Sequence, residues 1–187
     1  MTRRFRARET RLSGLTLLER TKVGDDRGFL SRLFCAEDLT DFGFDAPVSQ
    51  INETGTRKAG TVRGMHYQRT PFAEIKLVTC VEGRVLDIAV DVRRGSPTWL
   101  QHYAVELSAD NACSLLIPKG FAHGFQALSD YVRMIYVHSA PYHAESEGGL
   151  HCLDSALGLN WPLPVRNLSD RDNRHPLVSP SFEGVDA

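Results

Sequence analysis

The sequence predicts an all-β sandwich or barrel, and three observations carry that expectation. Short runs of apolar and β-branched residues recur at roughly 8- to 12-residue spacing, separated by Gly, Pro and Asp turn signals. The run Leu86-Asp87-Ile88-Ala89-Val90-Asp91-Val92 alternates with period two. Leu86, Ile88, Val90 and Val92 therefore share one face, and Asp87, Ala89 and Asp91 the other. The chain has 187 residues, 42% apolar and 24% charged, an ordinary globular composition long enough for one sizeable core.

The elements follow in order. Strands are expected at residues 3–9, 14–20, 28–34, 47–54, 61–67, 76–81, 84–92, 101–108, 112–117, 123–128 and 131–138. In the first of these, arginines alternate with Phe5 and Ala7, the pattern of a solvated edge strand whose charges discourage unwanted pairing. Residues 76–81 end at Glu82-Gly83, a turn signal. One short helix is expected over Ala36–Phe42, stopped by Gly43. A polar, Pro-bearing tail from about residue 163 is expected to wrap the surface and to be loose at its end. The whole chain, 1–187, reads as a single domain.

Composition narrows the function. With 22 basic and 23 acidic residues the net charge is −1, so no basic nucleic-acid footprint is expected. No apolar run approaches the roughly 18 residues that cross a bilayer, so no membrane partner is expected. Arg3, Arg4, Arg6, Arg8 and Arg11 are followed by no apolar core, so no signal peptide is expected. Cys35, Cys80, Cys113 and Cys152 show no CxxC spacing, which argues against a zinc or thioredoxin-like motif and for a reducing, cytoplasmic setting.

Two segments bear chemistry. The first is Thr61-Val62-Arg63-Gly64-Met65-His66-Tyr67-Gln68, followed by Glu74 and Lys76. The second is Pro118-Lys119-Gly120-Phe121-Ala122-His123-Gly124-Phe125. Its P-x-G-x-x-H form resembles the second motif of the cupin superfamily, in which a tight turn aims the histidine into a barrel. The first cupin motif normally reads H-x-H followed by Glu; here it reads His66-Tyr67-Gln68, with Glu74 beyond. Gln is a poor transition-metal ligand beside imidazole, and Lys76 brings a cation to the same place, so no metal is expected. Strand parity puts Gly64, His66 and Gln68 on one face and Arg63, Met65 and Tyr67 on the other. A neutral histidine inside a barrel suits general-base work. Lys76 could hold an enolate oxygen, and Tyr136, opposite Arg133 and Ile135, could return a proton from the other side. Base, oxyanion holder and acid describe proton abstraction beside a carbonyl. Each of these types also serves as an ordinary core or surface group.

Further segments run in one order over residues 12 to about 172: Gly24-Asp25-Asp26-Arg27-Gly28-Phe29, Gln50-Ile51-Asn52, Arg63 to Gln68, Lys76-Leu77-Val78, Asp87-Ile88-Ala89-Val90-Asp91, Ser96-Pro97-Thr98, Ile117 to Phe125, and Leu159-Asn160-Trp161-Pro162. Together they resemble the dTDP-4-dehydrorhamnose 3,5-epimerases and related cupin-type nucleotide-sugar epimerases. The resemblance implies a cupin-type double-stranded β-helix, or jelly-roll barrel, with a few short helices. It implies epimerisation at C3 and/or C5 of a nucleotide-diphosphate 4-keto-6-deoxyhexose, dTDP-linked by preference, through an enolate and without cofactor or metal. His66 matches the base, Lys76 the enolate holder, Tyr136 the acid, and Asp172 the tail carboxylate that orients the histidine, with Asp170 close by. Arg27 and Arg63 match positions that hold sugar or diphosphate, where a guanidinium fork suits phosphate oxygens. Gln50, Asn52, Gln68, His123 and Tyr142 complete the substrate set. Val23, Arg32 and Pro141 depart from the usual residues near the nucleotide base. The resemblance also implies a homodimer formed by exchange of N-terminal strands, with Arg27 reaching the neighbour's site.

Two rivals stand beside this reading: a metal-dependent cupin using His66, Glu74 and His123, and a non-catalytic sugar-nucleotide-binding cupin. His102, His138, His143, His151 and His175 are expected as surface or packing residues, Arg93-Arg94 as a solvated turn, and Phe121 and Phe125 as core.

Overall fold

The computed structural model describes residues 4–187. Strands β1 (Phe5–Glu9) and β2 (Thr16–Arg20) are followed by a hairpin, β3 (Lys22–Asp25) and β4 (Gly28–Ser31), and by the short helix α1 (Ala36–Thr40). Then come β5 (Gln50–Thr56), β6 (Val62–Gln68), β7 (Lys76–Glu82), β8 (Arg84–Asp91), β9 (His102–Ser108), β10 (Cys113–Ile117), β11 (Phe121–Ala127), β12 (Val132–His138) and β13 (Glu147–Gly149). A 3₁₀ turn at Ser155–Leu157 and the helix α2 (Asp170–Asn173) close the chain. A six-stranded antiparallel sheet runs β1-β2-β10-β7-β12-β5, and a five-stranded one runs β13-β6-β11-β8-β9. This is the cupin-type jelly roll, and the expected strands are found within a few residues of their expected limits. Arg3, the start of the first expected strand, lies outside the described residues. The expected strand 28–34 is shorter and is one arm of the β3–β4 hairpin. The exposed Lys22–Asp25 and the three-residue Glu147–Gly149 carry no alternating apolar signal and were not expected as strands.

Alternation builds three apolar layers. Val78 and Cys80, Leu115 and Ile117, Val132 and Met134 point inward from the larger sheet to meet Val85, Ala89, Phe121 and Phe125 from the smaller one. On the outer side of the larger sheet, Leu18, Leu77, Leu116 and Val137 pack beneath Leu39 and Phe44 of the α1 segment. The outer face of the smaller sheet is also buried. Ile88, Val90 and Val92 lie under Leu150, Cys152, Leu157 and Val185 of the C-terminal segment. Both faces of β8 are therefore shielded, and covering a large aliphatic side chain stabilises by roughly 1.5–3 kcal/mol.

Two expectations are corrected. The tail is tied down to its end: Arg94 N–H donates to the Val185 carbonyl at 2.9 Å, and Val185 N–H to that of Val92 at 2.7 Å. The physical reason is the apolar outer face of β8, which needs a cover. Arg93 is also no solvated side chain. It donates to the buried Asp91 carboxylate at 2.7 and 2.9 Å and lies 4.7 Å over the Phe121 ring. Arg94 pairs with Glu183 and Asp186 of the tail. Among the described residues no helix is long and apolar enough to cross a membrane.

Candidate active site

A cavity of about 860 Å³ opens between β5 and β12 of the larger sheet and β6 and β11 of the smaller one. That volume suits a drug-sized ligand. His66, Lys76, Tyr136 and Asp172 all line it, as do Gln50, Asn52, Arg63, Gln68, His123 and Tyr142. Arg27 does not. It sits at the tip of the β3–β4 hairpin, exposed and paired with Asp25.

His66 comes from the middle of β6. Its Nε2 lies 2.6 Å from Asp172 Oδ1. Asp172 is only 3% exposed and is aimed from the tail by α2, whose N-cap Ser169 accepts the Asp172 N–H at 3.0 Å. Asp170, the neighbouring alternative, is exposed. Burial alone would raise the Asp172 carboxyl. The His66 hydrogen bond and charge, the Gly64 amide and Arg171 outweigh it and hold that carboxyl below the usual range. The Arg171 guanidinium also approaches His66 Nε2, at 3.3 Å. The shorter contact to a carboxylate decides the tautomer: Nε2 carries the hydrogen and Nδ1 the lone pair. Nδ1 has no hydrogen-bond partner among the described residues.

Simple parity would put Arg63 and His66 on opposite faces, yet both line the cavity. The β6–β11 register slips by one residue, pairing His123 with His66 but Phe125 with Arg63. The slip occurs where Gly64 meets Gly124. A Cβ on Gly64 would lie 2.5 Å from Gly124 Cα, so only glycine permits the approach. Arg63 donates to Thr56 Oγ1 at 3.2 Å and to the Gly55 carbonyl at 3.1 Å.

Lys76 begins β7, and its Nζ is 3.0 Å from Glu74 Oε1. The other oxygen, Glu74 Oε2, is 2.8 Å from His138 Nδ1. Burial pushes the Glu74 carboxyl up, but His138 and Lys76 prevail and its pKa is lowered. Tyr136 is half-buried, its ring 6.0 Å from that of His123 in an edge arrangement. Burial and then the Asp87 charge push its hydroxyl far above the ordinary phenol value. The phenol therefore keeps its proton and can donate it. His123 in turn is fixed by Asp87, with Nε2 at 2.9 and 3.0 Å from the carboxylate oxygens.

The rival metal trio is not assembled. His66 pairs with Asp172, Glu74 with Lys76 and His138, and His123 with Asp87. His66, Asp172 and His175 do bring ligand atoms within 4.8 Å of one another. The Arg171 guanidinium already places a cation against two of those donors, which opposes a second. Gln68 lines the cavity as a strut. Its amide donates to the Phe72 and Pro141 carbonyls at 3.0 and 3.2 Å and accepts from His143 N–H at 2.7 Å.

Sequence reasoning passed over several cavity residues. His138 is buried in the wall and not at the surface; it stands two residues after Tyr136 on one strand, so parity alone could have found it. His175 does not line the cavity but packs behind it, its ring 5.3 Å from that of His66, and is held toward neutrality by burial and then by its neighbour His66. Arg57 and Lys58 from a loop and Arg171 from α2 add a basic rim, and positions so scattered along the chain gave no signal for it.

Comparison with known proteins follows the same outline. Residues 9–179 match the family model described as dTDP-4-dehydrorhamnose 3,5-epimerase. The chain is 41% identical over 166 residues to a dTDP-4-dehydrorhamnose 3,5-epimerase of Sinorhizobium fredii, covering 88% of this chain and 85% of that one. It superposes on the crystal structure of a dTDP-4-dehydrorhamnose 3,5-epimerase from Bacillus anthracis with TDP and PPi bound, at a TM-score of 0.90 and 37% identity, covering 93% and 99% of the two chains. A dTDP-6-deoxy-D-glucose-3,5-epimerase from Legionella pneumophila, in complex with dTDP-4-keto-L-rhamnose, gives a TM-score of 0.88 and 38% identity over 92% of each chain.

Proposed function

This chain belongs to the dTDP-4-dehydrorhamnose 3,5-epimerase family, and we propose that its cavity residues divide the family reaction as follows. The chain is an isomerase that epimerises a nucleotide-diphosphate 4-keto-6-deoxyhexose. The 4-keto group acidifies the hydrogens at C3 and C5. His66, its Nε2–H tied to Asp172, removes a proton through Nδ1. The electron pair moves onto the keto oxygen, where the Lys76 ammonium stabilises the enolate. Tyr136 delivers a proton from the opposite face and inverts the centre. The cycle repeats at the second carbon, so both C3 and C5 are inverted. Asn52, Gln50 and His123 contact the sugar. Arg63 and the basic rim of Arg57, Lys58 and Arg171 hold the diphosphate, and Tyr142 carries the base of a dTDP-linked substrate.

The observation that carries this reading is the 2.6 Å His66–Asp172 pair in the same cavity as Lys76 and Tyr136. A metal-dependent reaction lacks such support, because each donor it needs already has a protein partner.

The working form is a homodimer in the cytoplasm. Phe29 and Leu30 of the β3–β4 hairpin are 65% and 66% exposed, and Ile51 on β5 is 63% exposed, apolar surface that a second copy would cover. Among the described residues β5 is the last strand of its sheet, with one edge unpaired. In that dimer Arg27, outside the cavity of its own chain, reaches the partner's diphosphate. Four free cysteines accord with a reducing compartment.

The test is incubation of dTDP-4-keto-6-deoxyglucose with the enzyme in deuterated water, beside CDP-, GDP- and UDP-linked analogues. Deuterium at both C3 and C5, fastest with dTDP, is expected, and His66→Ala lowers the rate ~10²-fold or more with the fold intact. Absence of deuterium at either carbon with every nucleotide overturns the reading.

A further inference from the structure

His138 occupies a place that the base, the enolate holder and the acid leave unexplained. It is 8% exposed, lies on the cavity wall, and follows Tyr136 by two residues on β12. The two rings lie 6.0 Å apart and nearly parallel, at 17°. Its Nε2 faces Asn52 Nδ2 at 3.5 Å, and an amide N–H can only donate, so Nε2 is the acceptor. The ring hydrogen is then on Nδ1, which donates to Glu74 Oε2 at 2.8 Å. The remaining Glu74 oxygen holds Lys76 Nζ at 3.0 Å. Asn52, His138, Glu74 and Lys76 form one chain of hydrogen bonds across β5, β12 and the start of β7.

We propose that His138 is a positioning residue for Lys76: by fixing one oxygen of Glu74 it orients the carboxylate whose other oxygen aims the ammonium at the reacting carbonyl. The physical need is plain. A lysine side chain has four rotatable bonds and a point charge with no directional fork. A glutamate bound only at one oxygen turns about its terminal torsion, whose minima are broad. Anchoring both oxygens removes that freedom, as outer partners of catalytic and metal-binding groups commonly do. Backbone register supports the arrangement, because His138 pairs directly with Lys76 across the β12–β7 ladder. The inference rests on the reading of Lys76 as the residue that holds the enolate oxygen.

Deuterium wash-in at C3 and C5, resolved into kcat and KM, tests it with His138→Phe, His138→Asn, Glu74→Gln, the Phe/Gln double variant and Lys76→Met. Loss of a hydrogen bond to a charged group predicts that H138F lowers kcat about tenfold, with KM changed less than about twofold. H138N keeps an N–H where Nδ1–H stood and should recover kcat to within about threefold of wild type. In the E74Q background H138F should add less than about twofold, since neighbours acting through one link are not additive. Should the Phe variant fail to fold, His138→Ser carries the same comparison. Wild-type kcat in H138F, multiplication of the two single effects in the double variant, or an Asn variant as impaired as Phe overturns the proposal. Those results beside an inactive K76M sink this inference alone. A wild type that exchanges no hydrogen, or a fully active K76M, removes the enolate reading and this inference with it.

Discussion

Replacing Asp172 by Asn isolates the contribution of the tail carboxylate to the base. The change keeps the side chain's size in a site only 3% exposed, so packing alters little. It removes the negative charge 2.6 Å from His66 Nε2 and substitutes an amide. Two costs follow. A hydrogen bond to a charged partner contributes about 1.5–3 kcal/mol, worth roughly 10- to 10²-fold in rate if it forms fully as the imidazole gains its proton. The amide can also turn its N–H₂ toward Nε2, which moves the ring hydrogen to Nδ1 and blocks the lone pair that abstracts. We therefore expect kcat for deuterium wash-in to fall ~10²-fold or more, with KM little changed. Melting temperature, compared with wild type, separates this from unfolding, because Asp172 also meets the Gly64 amide at 3.5 Å. Asp170→Asn, on the exposed first residue of α2, should leave the rate unaltered. A folded D172N enzyme within about threefold of the wild-type kcat would refute the dyad, since loss of the charged hydrogen bond alone predicts at least about tenfold.

Tyr136→Phe should separate abstraction from inversion. Deuterium should still enter through His66 while formation of the epimer falls ~10²-fold, and equal losses in both would remove Tyr136 from the acid role. Stability should depend on pH through Glu74 and Asp172, both lowered in the folded protein. Their contribution is present above the unfolded carboxylate value of about 4 and is lost as pH falls through the lower folded values. Melting temperature should therefore drop on acidification below pH ~4, less steeply in E74Q, and a parallel profile for that variant counts against the buried triad. Phe29→Asp should convert a dimer to a monomer in sedimentation, and a monomeric wild type would contradict the dimer.

Much of the fold was legible because its signals are local. Period-two alternation marks β8 directly, and Gly and Pro punctuate the other strands. Lys22–Asp25 and Glu147–Gly149 escaped because neither alternates; each is a strand only because a partner lies beside it. Single-chain parity placed His66, Gln68 and Tyr136 on the cavity wall but misplaced Arg63, since a register slip is a property of two strands. Glu74 was legible as a residue but not as the partner of Lys76 and His138, a contact that needs the β12–β7 pairing. Asp172 lies 106 residues from His66. No spacing rule spans such a distance, so only the family resemblance supplied it.

The C-terminal segment that shields β8 also carries Asp172, and this joins the outer apolar layer to the cavity. Asp172 reaches His66 from α2, which lies in the chain between Leu157 and Val185, two of the residues that cover β8 from the outside. Loss of the tail would therefore uncover Ile88, Val90 and Val92 and strip His66 of its carboxylate in one event, so that stability and the proposed dyad share a single structural support.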